Sequence, residues 1–107
     1  MDIQLKRGMI EVCVLKALAD GDSYGYQIIS DISPHIEISE STLYPILKRL
    51  LAADCLTQYS KEFNGRLRKY YSITDKGRQK IADFLEEWKS MIKIYEFIAE
   101  DNNNDTK

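Results

Sequence analysis

From Ile81 onward the apolar residues fall into a register that a small fold cannot satisfy from within. Ile81, Leu85, Trp88, Ile92, Tyr95 and Ala99 are spaced alternately by four and three. That is the a/d seam of a helix packing along another helix, kept up for almost three heptads. Phe84, Met91 and Ile98 form a second stripe beside it. Thr74 is placed to cap this helix, and Asp75 suits its N-terminal dipole. A helix of roughly 25 residues is about 38 Å long. The whole chain has 107 residues, enough for one domain with a single small core, and such a domain is narrower than the helix is long. Packing within the chain accounts for the first half of the seam. The second half, Trp88 to Ala99, outruns the domain and points to a second copy of the chain.

The rest of the chain reads as compact elements. Leu5 to Ala19 predicts a first helix, with Met9, Val12, Cys13, Leu15 and Leu18 leaving little polar face, so it is covered on more than one side. Asp20-Gly21-Asp22 is turn chemistry. Ser23 is a candidate cap for a second helix running to Ser33 and closed by Pro34. Tyr26, Ile29 and Ile32 share a spacing that packs them into the domain or the dimer, and Gly25 admits a neighbouring backbone. Ile36-Glu37-Ile38 alternates like a one-bridge strand. Ser39 or Ser41 then caps a third helix ending near Ala53, with Leu43, Ile46, Leu47 and Leu50 as its apolar stripe. Pro45 implies either a later cap, at Ser41 or Thr42, or a slight bend.

Asn64-Gly65 predicts a two-residue type I′ turn, because both central positions need positive φ. Folding about it pairs Phe63 with Arg66, Tyr59 with Tyr70 and Leu56 with Ile73, in strands 56–63 and 66–73 rich in Tyr, Thr, Phe and Ile. Alternation sends Tyr70 and Tyr71 to opposite faces, one of them toward the core. Residues 101–107 read as a disordered polar tail.

Several chemistries are excluded by what is missing. With 30% charged and 44% hydrophobic residues, the composition is that of a soluble globular protein. The stretch from Met9 to Ala19 is too short and too charged to span a membrane, and no small-residue cleavage site follows it, so no secretory signal is expected. Cys13 and Cys55 form no disulfide framework, His35 has no metal-ligand partner, and no cofactor motif occurs. No Ser/His/Asp set or Gly-rich phosphate loop is present, so no enzyme is expected.

The formal charge is −2 and the pI about 5.4, which argues against a uniformly basic nucleic-acid binder. The distribution argues otherwise. Residues 35–80 hold nine basic and five acidic groups, while the segments on either side are acidic. Within the basic middle, Ser41, Thr42, Tyr44, Lys48 and Arg49 lie opposite the apolar stripe of the third helix. Lys61, Arg66, Arg68 and Lys69 gather near the hairpin tip.

Three compact helices, a hairpin and a long helix make a mainly α chain with a small β hairpin. That order is a winged helix-turn-helix domain, residues 1–74, followed by a dimerisation helix, residues 75–100. In such motifs the second helix of the pair enters the DNA major groove, here the third helix, with the hairpin as a wing. Hydroxyls and Lys on that helix reach base edges or phosphates, and the wing cations neutralise phosphates with counterion release. The alternative is that the hairpin charges only keep a β edge soluble. Two further readings stay open: a winged-helix module that binds a protein partner, and an architectural DNA binder without ligand response.

The residues also resemble the PadR family of winged-helix transcriptional regulators. The resemblance lies in Tyr24-Gly25-Tyr26-Gln27-Ile28, in Ser41-Thr42-Leu43-Tyr44-Pro45-Ile46-Leu47-Lys48-Arg49-Leu50, in the run from Gly65 through Thr74, in Lys76-Gly77-Arg78 and in Trp88. It spans roughly residues 5–99, and the single C-terminal helix is similar to the short-tailed branch. Ser41 stands where many members have Gly, and Asp54 stands where Gly commonly ends the recognition helix. Asp tolerates the left-handed conformation this requires better than most residues.

The resemblance implies a cytoplasmic, nucleoid-associated homodimeric repressor of a palindromic promoter site in double-stranded DNA. Its dimer is held through Ile81, Phe84, Leu85, Trp88, Ile92 and Tyr95 against the partner's first helix. It also implies a planar aromatic effector stacked at Trp88, beside Met91 and Asp83. Core packing of Trp88 is the competing reading of that residue.

Overall fold

The computed structural model of the chain describes residues 2–104. Helix α1 spans Ile3–Ala17, α2 Gly25–Ile32 and α3 Glu40–Ala52; strands β1, Leu56–Phe63, and β2, Arg66–Ile73, form a hairpin; α4 spans Asp75–Asn104. Helix α1 starts earlier than the apolar run because Asp2 caps it: its Oδ1 accepts from the Gln4 and Leu5 amides at 2.8 and 3.1 Å. An Asp at this position also suits the helix dipole.

The three short helices close on a core of Val14, Leu15, Leu18, Ile28, Leu43, Leu47 and Leu50, each almost fully buried. Leu56 and Tyr71 extend this core under the base of the hairpin. The stripe expected on α3 is the buried one. Pro45 lies inside α3, which begins upstream with Ser39 as its N-cap residue.

Two local expectations are corrected. Ser23 does not cap α2; Tyr24 is the N-cap residue, with no side-chain bond. Ser23 instead pairs with Tyr71 in an isolated antiparallel bridge, its amide donating to Tyr71 O at 3.1 Å and its carbonyl accepting from the Tyr71 amide at 2.8 Å. Burial is the reason: Ser23 is buried, and two backbone bonds satisfy groups that a cap would leave exposed to an apolar core. The third strand position beside the hairpin is therefore Ser23. Ile36-Glu37-Ile38 is irregular, and Ile36 and Ile38 merely pack on the core.

The hairpin has the expected register, from Leu56↔Ile73 to Phe63↔Arg66. Asn64 and Gly65 take φ of 50° and 79°, the positive pair that a type I′ turn requires. Tyr71 is only 4% exposed, whereas Tyr70 lies on the opposite face. Helix α3 ends with Asp54 at φ 61°. The Cys55 amide donates to Leu50 O at 2.9 Å and the Asp54 amide to Leu51 O at 3.1 Å. These are the two bonds of a Schellman stop, built here on Asp.

Helix α4 starts at Thr74, whose Oγ1 accepts from the Gly77 amide at 3.1 Å. It packs on α1 and β2, and Gly77 makes that contact possible. A Cβ there would run into Cys55 O and stand 2.8 Å from Ile73 Cγ1 and 3.2 Å from Leu15 Cδ2. The helix continues past the expected end at 100 to Asn104; residues 105–107 of the expected polar tail lie outside the described residues. At 30 residues it is about 45 Å long, and it stretches the molecule to 67 Å against 25 and 22 Å in the other directions.

Gly77→Ala is expected to destabilise the fold by about 1–3 kcal/mol through overpacking against backbone. Thermal unfolding followed by circular dichroism checks this: the midpoint drops by about 4–8 °C per kcal/mol for a domain of this size.

Candidate nucleic-acid interface

The interface begins at the start of α3. Ser39 Oγ lies 2.9 Å from Ser41 Oγ and 3.3 Å from Thr42 Oγ1, so three hydroxyls cluster at the helix N-terminus. Ser41, Thr42, Tyr44 and Lys48 are exposed on the side opposite Leu43, Ile46, Leu47 and Leu50. Arg49 is committed elsewhere, pairing with Glu11 of α1 at 3.2 Å.

Tyr44 lies against Gly25. A Cβ at Gly25 would approach the Tyr44 hydroxyl to 2.7 Å, so the glycine admits a side-chain ring from α3 in place of the neighbouring backbone expected there. Tyr26, expected to pack inward, is 73% exposed. Helix α2 begins at Gly25, and its buried face runs through Ile28 and Ile32 instead.

The strand register sorts the wing cations. Lys61 pairs across from Arg68 and Phe63 from Arg66, on the face that also carries Tyr59 and Tyr70; Lys69, beside Tyr70 in the chain, is on the other face. Like charges directly opposite repel. Arg68 turns onto aromatic rings, 4.0 Å from the Tyr24 ring centroid and 3.9 Å from that of Phe63. Tyr70 stacks on Tyr59 with centroids 5.7 Å apart and meets Tyr24 edge-on at 5.6 Å.

A cleft of about 480 Å³ joins these parts: Tyr24, Gly25 and Tyr26 of α2, Tyr44 of α3, and Arg68, Lys69 and Tyr71 of β2. Thus Tyr44, Arg68 and Lys69 converge, while Lys61 and Arg66 stand further out toward the tip. A second cleft of about 320 Å³ sets Lys6 and Arg7 of α1 beside Ser41, Thr42 and Arg49. Those two cations were hidden by the acidic balance of the first segment; the Lys6-Arg7 dipeptide was the available signal. Tyr24 was likewise missed as a partner of the wing.

The wing is also tied to the turn before α2. Tyr59 Oη donates to Asp22 Oδ2 at 2.7 Å. Hydrogen bonds from Tyr59 and then Ser72 hold the Asp22 carboxyl below its ordinary pKa, and the bond to Asp22 pushes the Tyr59 phenol up. Burial, and then the neighbouring Tyr44, pushes Tyr71 up.

Away from this surface, α4 presents the seam. Ile81, Phe84 and Trp88 are half-buried, and Phe84 and Trp88 lie 5.9 Å apart between ring centroids. Leu85, Met91, Ile92 and Tyr95 are exposed, Tyr95 at 69%. Asp83 accepts from Gln79 Nε2 at 2.8 Å. An apolar groove of about 500 Å³ runs between α1, the end of α2 and α4, with Met9, Val12, Cys13, Phe84 and Leu85 in its walls. Among the described residues no group of three or more His, Cys, Asp or Glu could hold a metal. No helix among them is long and apolar enough to cross a membrane.

Residues 14–83 match the model of the transcriptional regulator PadR-like family. The chain is 30% identical over 81 residues to the transcriptional regulator Rv3488 of Mycobacterium tuberculosis, covering 75% of this chain and 76% of that protein. Among solved structures, smu.1704 of Streptococcus mutans UA159 is 40% identical with a TM-score of 0.76, over 88% of this chain and 89% of that one. Bacillus subtilis PadR in complex with operator DNA is 27% identical with a TM-score of 0.68, over 72% of this chain and 46% of that one.

The Asp22–Tyr59 bond yields a pH prediction. The lowered Asp22 pKa stabilises the fold above the unfolded value of about 3.9 and is lost as pH falls through the folded value. The raised Tyr59 pKa acts at the other end, fully present below about pH 10 and lost as pH rises through the folded value. Tyr59→Phe is therefore expected to lower the melting temperature near neutrality, with the gap to the parent closing at both extremes. The effect is small because both groups face solvent. Melting curves across the pH range check it.

Proposed function

The chain belongs to the PadR-like family of transcriptional regulators, and we propose that it acts as a homodimeric repressor on a palindromic promoter site in double-stranded DNA. Its role is regulatory and not enzymatic. The observation that carries the DNA reading is the convergence of Tyr44 of α3 with Lys69 of the wing around one open cleft, to whose wall Arg68 also contributes. In this reading Ser41, Thr42, Tyr44 and Lys48 address base edges and adjoining phosphates. Lys61, Arg66 and Lys69 meet phosphates beside them. The protein works in the cytoplasm on nucleoid DNA.

Dimerisation is supported by α4. Its exposed Leu85, Ile92 and Tyr95 continue the seam begun by half-buried Ile81 and Trp88. Leaving that many large apolar side chains in water is the mark of an interaction surface, and the heptad register selects another helix as the partner. The apolar groove beside α1 continues the same face. A dimer places two recognition helices on two half-sites, which matches a palindrome. Release by a planar aromatic effector would act at Trp88, whose indole offers a stacking face near this seam.

Binding to the DNA upstream of the gene tests the reading. The combined Lys48→Ala and Arg66→Ala variant should bind at least tenfold more weakly. The slope of log affinity against log salt should flatten by about 0.9 for each phosphate contact removed. Unchanged affinity would reject the assignment.

Trp88 is the sole tryptophan, so its emission reports the dimer face directly. Dilution should shift the emission to longer wavelength with a midpoint that depends on protein concentration. Planar aromatic compounds should quench it saturably; a diverse set that leaves it unquenched would assign Trp88 to dimer packing alone.

A further inference from the structure

Of the wing cations, Arg68 stands apart. Lys61, Arg66 and Lys69 are exposed, and Arg68 is half-buried. Its guanidinium lies against the Tyr24 and Phe63 rings, and Nη1 donates to Tyr70 Oη at 3.5 Å. Tyr70 in turn stacks on Tyr59, whose hydroxyl is bonded to Asp22. These contacts form a continuous brace from Asp22 and Tyr24, at the entrance to α2, out to Phe63, next to the Asn64-Gly65 turn.

The wing needs such a brace. An isolated two-stranded ribbon is marginally stable in water, and from Thr57 to Leu67 every residue is exposed. Backbone pairing to the body stops at Ser23↔Tyr71. Beyond that bridge the ribbon is held by side chains, and Arg68 is the group that ties the body to Phe63 near the tip. A planar, weakly hydrated guanidinium can rest on aromatic faces and still donate from its edge; a lysine ammonium is a compact, strongly hydrated point charge without that plane.

We infer that Arg68 is a positioning residue. It fixes the angle of the wing against α2 and α3, so that Lys61, Arg66 and Lys69 present their charges at a defined place. Its own charge serves the brace and not a phosphate. The inference rests on the DNA reading above for its consequence, and on the aromatic contacts for its mechanism.

Arg68→Lys tests this, since it keeps the charge count. The expected result is a fall in the backbone order parameters of residues 62–67 from about 0.85 to below 0.6, together with about a tenfold loss of affinity for the upstream DNA. Lys89→Arg, a charge-keeping swap on α4 where Lys89 pairs with Glu86 away from the wing, should leave both within twofold. Tyr24→Leu removes one ring and no cation, and should reproduce the Arg68→Lys pair of changes at an unchanged far-ultraviolet spectrum. Parent-like binding by Arg68→Lys would overturn the inference. So would lost affinity with an ordered tip, which would make Arg68 a direct contact. Failure of the parent protein to bind DNA would overturn the DNA reading, whereas the order parameters decide the brace by themselves.

Discussion

The architecture hangs on one joint, where the end of α3, both strands and the start of α4 meet around Thr74. The Thr74 amide donates to Cys55 O at 3.1 Å. Its hydroxyl donates to Asp54 O at 2.7 Å and accepts from the Gly77 amide at 3.1 Å. Gly77 lets the backbone of α4 pass close to Cys55 and brings Leu15 of α1 into the same contact. One threonine and one glycine therefore set the direction of α4 relative to α3 and the wing. In the proposed dimer that direction fixes how far apart the two recognition helices stand, and so the half-site spacing. The joint is a tight one, because each element that leaves it starts or ends on a satisfied backbone group.

Elements whose cause is local were legible from the residues. Asn64-Gly65 can satisfy a two-residue hairpin only as a positive-φ pair, and once that turn is placed every cross-strand partner follows by counting. The long α4 is legible for the same reason: a sustained helical spacing of apolar residues marks one continuous helix beyond the hairpin. Asp54 could be read as the helix stop through the family resemblance, which puts it where Gly commonly stands, and Asp visits the left-handed region at low cost. Ser23 was not legible as a bridge residue. A serine before a helix has a strong local reason to cap, and it loses to a tertiary one, the need of a buried backbone to pair with Tyr71. Ile36 and Ile38 failed in the same direction. Alternation marked them as half-buried, which they are, but a strand needs a neighbour with free backbone groups.

The interface divides along the same line. The face of α3 that carries Ser41, Thr42, Tyr44 and Lys48 is set by the apolar stripe opposite, so helical periodicity sufficed. The wing cations could be placed near one tip, but not sorted into a free set and a braced one. Sorting them needs Tyr24, which is separated from Arg68 by most of the domain sequence and reaches it only because Ser23 pairs with Tyr71. Lys6 and Arg7 are not legible in a segment sum of charge, which cannot see that the start of α1 lies beside Ser41 and Thr42.

Charge placement then explains how an acidic protein can serve the proposed role. The surplus of base lies in residues 35–80, and residues 81–107 carry three basic against seven acidic groups. Non-specific affinity for DNA comes from phosphate contacts and falls steeply with salt, so a chain with net charge −2 gains little from random contact. In the proposed complex an acidic α4 is repelled by the duplex, while α3, the wing and Lys6-Arg7 are drawn to it. The same imbalance orients the encounter, because only one face of the molecule is attracted at close range. Specificity is a ratio between the right site and all others. Lowering the denominator by placing acid on the helix that carries the apolar seam leaves the surface of α3 and the wing itself free of compromise.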